Sequence, residues 1–130
     1  MLTFSEKDNG YDLTFTAPPS VSLAVSFGGV NAEKIIDAQR EAVAEVVNYI
    51  RKEFESDFPF EAIVHRENKE GDPCLHSHVL TVAPVAPCVS PRQREFGRAY
   101  RRRLADLLRD KDFAVEMIDD KEATFELIPF

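Results

Sequence analysis

The chain has no tryptophan, only two cysteines and two methionines, and just three histidines in 130 residues. Cys74 and Cys88 are too few for a disulfide framework, and reduced thiols fit a cytoplasmic protein. Apolar runs are short and broken by charges, which excludes a membrane-spanning helix and a membrane partner. The opening MLTFSEKDNG has no basic segment leading into an apolar one, so it does not read as a signal peptide. No internal repeat or low-complexity tract is visible. The length suits one domain, 1–130, and the 44% hydrophobic content is enough to give that domain a core.

A net charge of −7 argues, taken alone, against a polyanionic partner. The distribution changes that reading. Between Pro91 and Lys111 eight basic residues face three acids, leaving +5 there and −12 over the rest of the chain. One basic helix therefore sits on an acidic body. The plain alternative is a solvated helix face.

Tyr11 to Phe15 alternates and reads as a strand, broken by Ala17-Pro18-Pro19-Ser20. Val21 to Phe27 reads as a largely apolar strand or a short buried helix, ended by Gly28-Gly29. Asn31 is placed to cap a helix running to about Glu55. Its stripe is Ile35, Ile36, Ala42, Val43, Val46, Val47, Ile50 and Phe54. Phe60 to Arg66 and Cys74 to Val82 read as antiparallel strands joined by a polar Gly-Asp-Pro loop. Ala83 to Ser90 is a proline-stiffened linker, and Pro91 opens a second helix with the stripe Phe96, Tyr100, Leu104, Leu107 and Leu108. Phe113 to Ile118 and Ala123 to Ile128 form a closing hairpin turning at Asp119-Asp120-Lys121. Two main helices and five or six strands without regular alternation predict an α+β two-layer sandwich with a mostly antiparallel sheet.

All three histidines fall within fourteen residues. His76 and His78 are two apart on a strand, so both project from one face. His65 lies near the end of the neighbouring strand, where pairing brings it beside them. Three imidazoles on one sheet face leave the other side open, as a catalytic metal site requires. Mn, Mg, Zn and Ni all remain open as the divalent ion. A lone histidine would read as a hydrogen-bonded sheet residue; three on facing strands read as ligands. Cys74, two before His76, adds the alternative of a closed Cys-His₃ zinc site. Asp72 reads as part of an Asp-Pro turn.

These residues resemble a known family. His65-Arg66, followed by Asp72-Pro73-Cys74-Leu75-His76-Ser77-His78-Val79, resembles the three-histidine motif of TrwC-type conjugative relaxases, which are HUH endonucleases. The eleven-residue spacing from His65 to His76 matches the family pattern. The run from Asp12 to Ser22, DLTFTAPPSVS, resembles the family's D-L-T-F-S-A-P-K-S-V-S. Gln39-Arg40-Glu41-Ala42-Val43, Tyr49-Ile50, Tyr100-Arg101-Arg102-Arg103-Leu104 and Phe125-Glu126-Leu127 are similar to later family segments. The resemblance covers about Tyr11 to Ile128.

The resemblance implies a fold of the HUH relaxase type and chemistry on single-stranded or hairpin DNA, in plasmid mobilisation, with another relaxosome protein as a further partner. His65, His76 and His78 would hold the divalent cation, and Asp12 matches a catalytic aspartate that orients a metal-bound histidine and would take the tyrosine's proton. A tyrosine hydroxyl would attack the phosphodiester. Arg66 beside His65, and Arg98, Arg101 and Arg102 on the basic helix, are the DNA-binding candidates. Three departures stand out. The family's nucleophilic tyrosines precede the D-L-T-F run by several tens of residues, whereas only eleven residues precede Asp12 here, so the chain reads as shortened at its N-terminus. Tyr100 is then the remaining nucleophile candidate, although it shares an apolar stripe with Phe96 and Leu104; Tyr11 and Tyr49 read as packing or surface residues. Pro19 stands where the family has lysine, and the stretch after His78 is short. Four readings follow: a metal-dependent DNA-nicking domain, a non-catalytic relaxase-like DNA-binding or regulatory module without its own nucleophile, a metal-water hydrolase of phosphodiesters that forms no covalent adduct, and a metal-stabilised structural domain.

Overall fold

Side-chain alternation builds the main sheet. In the computed structural model, which describes residues 1–7, 10–82 and 89–128, β1 (Leu2–Lys7) pairs antiparallel with β2 (Gly10–Thr16). β2 pairs antiparallel with β4 (Pro73–Thr81), and β4 with β3 (Glu61–Glu67), so the strand order is β1-β2-β4-β3. Leu13, Phe15, Leu75 and Val79 are buried on one face. Their neighbours Asp12, Thr14, His76 and His78 therefore project from the other face. β1 is not among the expected strands, yet Leu2 and Phe4 alternating with Thr3 and Ser5 is the same period-two signal.

The helices cover the apolar face. The open choice over Val21 to Phe27 resolves to a helix, α1 (Pro19–Ser26). Pro19 suits its first turn, where a missing N–H costs nothing. Gly28 (φ 71) and Gly29 (φ 77) then reverse the chain in the left-handed region that glycine tolerates. α2 (Gly29–Glu53) starts two residues before the expected cap. Gly28 holds the cap position, and Asn31 lies inside the first turn. The predicted stripe from Ile35 to Ile50 is buried. Pro91 sits in a short 3₁₀ turn, Ser90–Arg92, which leads into α3 (Gln93–Asp110). Phe96, Tyr100, Leu104, Leu107 and Leu108 are all buried, as the period predicts.

The closing strands β5 (Val115–Asp119) and β6 (Thr124–Leu127) form a separate two-stranded sheet. It is tied to α1 where the Leu127 N–H donates to Ser20 Oγ at 2.9 Å. Asp119 Oδ1 accepts the Lys121 N–H and closes the turn at the expected place. Among the described residues the architecture is α+β, as expected, with a four-stranded antiparallel sheet, a hairpin, the two expected main helices and the short α1. The expected linker from Ala83 and Cys88 lie largely or wholly outside the described residues.

Candidate metal centre on the open sheet face

His65 is the direct cross-strand partner of His76, and His78 follows two residues on along the same face. The three ring centroids are 4.9–5.2 Å apart, and one ring nitrogen from each lies within 4.8 Å of the others. His65 is exposed while His76 and His78 are half-buried, so the cluster opens toward solvent. Cys74 is not part of this group. Its backbone carbonyl contributes instead, lying 2.8 Å from His76 Nδ1. A carbonyl can only accept, so Nδ1 carries the hydrogen, and in the neutral ring Nε2 is the nitrogen with the free lone pair.

His78 is oriented in the same way by a carboxylate. Its Nδ1 lies 2.9 Å from Asp12 Oδ2 and 3.2 Å from Oδ1. Asp12 is only 2% exposed, and Thr14 Oγ1 also donates to its Oδ1 at 3.2 Å. The register explains the meeting: Thr14 is the cross-strand partner of His78, and Asp12 sits two residues away on the same face of β2. Asp72 serves the turn, with its N–H bound to Asn68 Oδ1 at 2.9 Å.

None of the three tyrosines stands on this face. Tyr100 is fully buried on the helix side of the sheet, where its ring meets Phe15 edge-on and its hydroxyl donates to Gln39 Oε1 at 2.5 Å. Burial pushes that hydroxyl well above the ordinary phenol range. The structure thus places the Tyr100 hydroxyl in the core, on the opposite side of the sheet from the histidines. Tyr11 stacks on Phe4, with ring centroids 5.6 Å apart. Tyr49 donates to Glu95 Oε2 between α2 and α3.

The arginine candidates are likewise not gathered around the histidines. Arg66 pairs with Glu33 of α2 at 2.8 Å. Arg98 approaches Glu122, Arg101 donates to the Glu122 carbonyl at 2.7 Å, and Arg102 donates to the Asp120 carbonyl at 2.6 Å. Arg94 also pairs with Glu122 and holds its carboxyl below the usual carboxylate range. The basic helix is thus clamped to the hairpin turn. Gln39, Ser77, Thr14 and Glu122 are structural partners that the sequence reading missed. Gln39 had a visible signal, being a polar residue on the apolar period of α2, and Ser77 had to face away from its two histidine neighbours.

A sheet carrying three converging imidazoles on one face, backed by a buried carboxylate and with helices on the other face, defines a histidine-triad platform. The model of the TrwC relaxase family matches residues 4–129, and the chain belongs to that family. The multifunctional conjugation protein TraI of Escherichia coli is 33% identical over a stretch covering 55% of this chain and 5% of that protein. A solved structure of conjugative relaxase TrwC in complex with oriT DNA, metal-free, superposes with a TM-score of 0.73 at 24% identity, covering 95% of this chain and 52% of that one. A copper-bound TrwC complex with oriT DNA gives 0.74 at 24% identity, with 95% and 49% covered. The chain therefore spans about half the length of those structures, and they establish the likeness of fold.

Proposed function

We propose that this chain is a single relaxase-like domain that engages single-stranded or hairpin DNA over the open sheet face, with a divalent cation held by His65, His76 and His78. The observation that carries this reading is the convergence of three imidazoles, two of which have Nδ1 already committed to oxygen acceptors. The donor set fits a first-row divalent ion. One ring nitrogen from each histidine lies within 4.8 Å of the others, and these three residues would hold the ion. When bound, the ion supplies Lewis-acid stabilisation of charge on a phosphate oxygen. Asp12 fixes the His78 ring and its tautomer, and Thr14 supports Asp12.

Strand transfer requires a tyrosine oxygen to bond to phosphorus as the bond to the 3′ oxygen breaks. Tyr100, Tyr11 and Tyr49 are all engaged away from the histidine face, so the attacking hydroxyl comes from outside these three residues. The placement of all three tyrosines away from the histidine face supports the second reading, a DNA-binding module, for this chain. The test is a labelled single-stranded or hairpin oligonucleotide with Mn²⁺, followed by a binding assay and a denaturing gel. Oligonucleotide binding without a covalent adduct is expected, together with Mn²⁺ uptake that His76→Ala removes. Absence of oligonucleotide binding, or Mn²⁺ uptake unchanged in His76→Ala, overturns the reading. An adduct that disappears in Tyr100→Phe restores Tyr100 as nucleophile.

A further inference from the structure

The side of the sheet behind the histidines carries a polar network that the metal centre itself does not use. Gln39 of α2 is fully buried, in a stripe otherwise built from Ile35, Ile36, Ala42 and Val43. All of its contacts point at the platform or at what braces it. Its Nε2 donates to Ser77 Oγ at 3.0 Å and to the Phe15 carbonyl at 3.2 Å, and its Oε1 accepts the Tyr100 hydroxyl at 2.5 Å. Ser77 lies between His76 and His78 on β4. Phe15 is the cross-strand partner of Ser77 and follows Thr14 on β2. One amide therefore grips two of the three strands that carry the site, β4 with its two histidines and β2 with Asp12 and Thr14.

An apolar side chain at position 39 would fill the same volume without polar groups to satisfy. A buried amide is tolerated only when its donors and acceptor are matched, and here both amide hydrogens and the carbonyl oxygen have partners. What the network adds is direction. Hydrophobic contacts let a strand slide or roll by fractions of an ångström, whereas three hydrogen bonds fix its height and pleat against α2 and α3. A roll of β4 about its axis swings His76 and His78 together relative to His65 on the edge strand.

We propose that Gln39 is a positioning residue for the histidine centre, acting through Ser77 on β4 and Phe15 on β2, with Tyr100 locking its amide from α3. This rests on the metal-binding reading above. The test separates positioning from stability by replacing the whole network with apolar groups, Gln39→Met with Ser77→Ala and Tyr100→Phe, which leaves none of its three side chains' polar atoms unsatisfied. Co²⁺ is titrated into the wild type and the triple variant at a temperature where thermal melts show both fully folded, and the visible ligand-field bands are recorded. The folded variant is expected to bind Co²⁺ about tenfold more weakly, the low end of the range for outer supports of a metal site. Its bands should shift in position and intensity, a change that altered global stability does not produce. Wild-type affinity within twofold together with an unchanged spectrum overturns the proposal. If the triple variant fails to fold, Ser77→Ala alone is read by the same two criteria. A wild-type protein that takes up no Co²⁺ brings down the metal reading itself, and the positioning role with it, whereas equal binding by wild type and variant refutes only the positioning role.

Discussion

Replacing Asp12 by asparagine is the sharpest probe of the histidine centre. Asp12 is almost wholly buried and accepts the His78 Nδ1–H at 2.9 Å. Asparagine keeps the shape and one acceptor oxygen but removes the negative charge behind the ring, which raises the basicity of the ligating nitrogen. Losing such an outer partner costs about 10–100-fold in metal affinity, or about 1.4–2.8 kcal/mol. Asp12→Asn should sit near the tenfold end and Asp12→Ala nearer the hundredfold end. Isothermal titration with Mn²⁺ and Zn²⁺ near neutral pH reads this directly. Thermal melts provide a second readout through linkage. At a metal concentration a hundred times the wild-type Kd, the ion adds about 2.7 kcal/mol to wild-type stability. A tenfold weaker site gains only about 1.4 kcal/mol under the same conditions. A folded Asp12→Asn that binds either ion as tightly as the wild type would refute the carboxylate's orienting role.

Tyr100→Phe should lower stability by about 1–3 kcal/mol, because it leaves the buried Gln39 oxygen without its donor, while oligonucleotide binding persists; denaturant melts and a gel-shift assay check both halves. Because Arg98, Arg101 and Arg102 are engaged by the hairpin turn, few cations neutralise phosphates. The slope of log affinity against log salt for a single-stranded oligonucleotide should therefore be shallow, about −0.7 per phosphate neutralised, for one or two phosphates. A slope steeper than about −4 would return the basic helix to the interface. Arg94 holds the Glu122 carboxyl below its ordinary range, so this contribution to stability is present above the unfolded-state pKa and is lost as pH falls through the lowered folded-state value. Melting temperatures recorded down to acidic pH should fall less for Glu122→Gln than for the wild type, and parallel curves would exclude the contribution.

Much of the platform was readable because it depends on local periodicity. His76 and His78 share a face because a strand repeats every two residues, and the short polar loop between β3 and β4 leaves little freedom in how His65 meets them. The helix stripes were equally legible. Asn31 misled because its capping chemistry competes with the Gly28-Gly29 reversal, which starts the helix earlier. Gln39 and Ser77 were missed because they meet across 38 residues of sequence, and Gln39 finds its other partners, Phe15 and Tyr100, likewise far away along the chain.

Pattern and spacing along the chain determined the α+β class, the helix faces and the shared face of His76 and His78, since each follows from dihedral preference and burial within one element or one hairpin. Which charges neutralise the basic helix, and which side of the sheet receives Tyr100, were settled only by tertiary packing. Those outcomes depend on distant partners, with Glu122 lying 28 residues beyond Arg94 and Gln39 61 residues before Tyr100. A charge or hydroxyl acquires its role from what stands opposite it in space, and no periodicity encodes that.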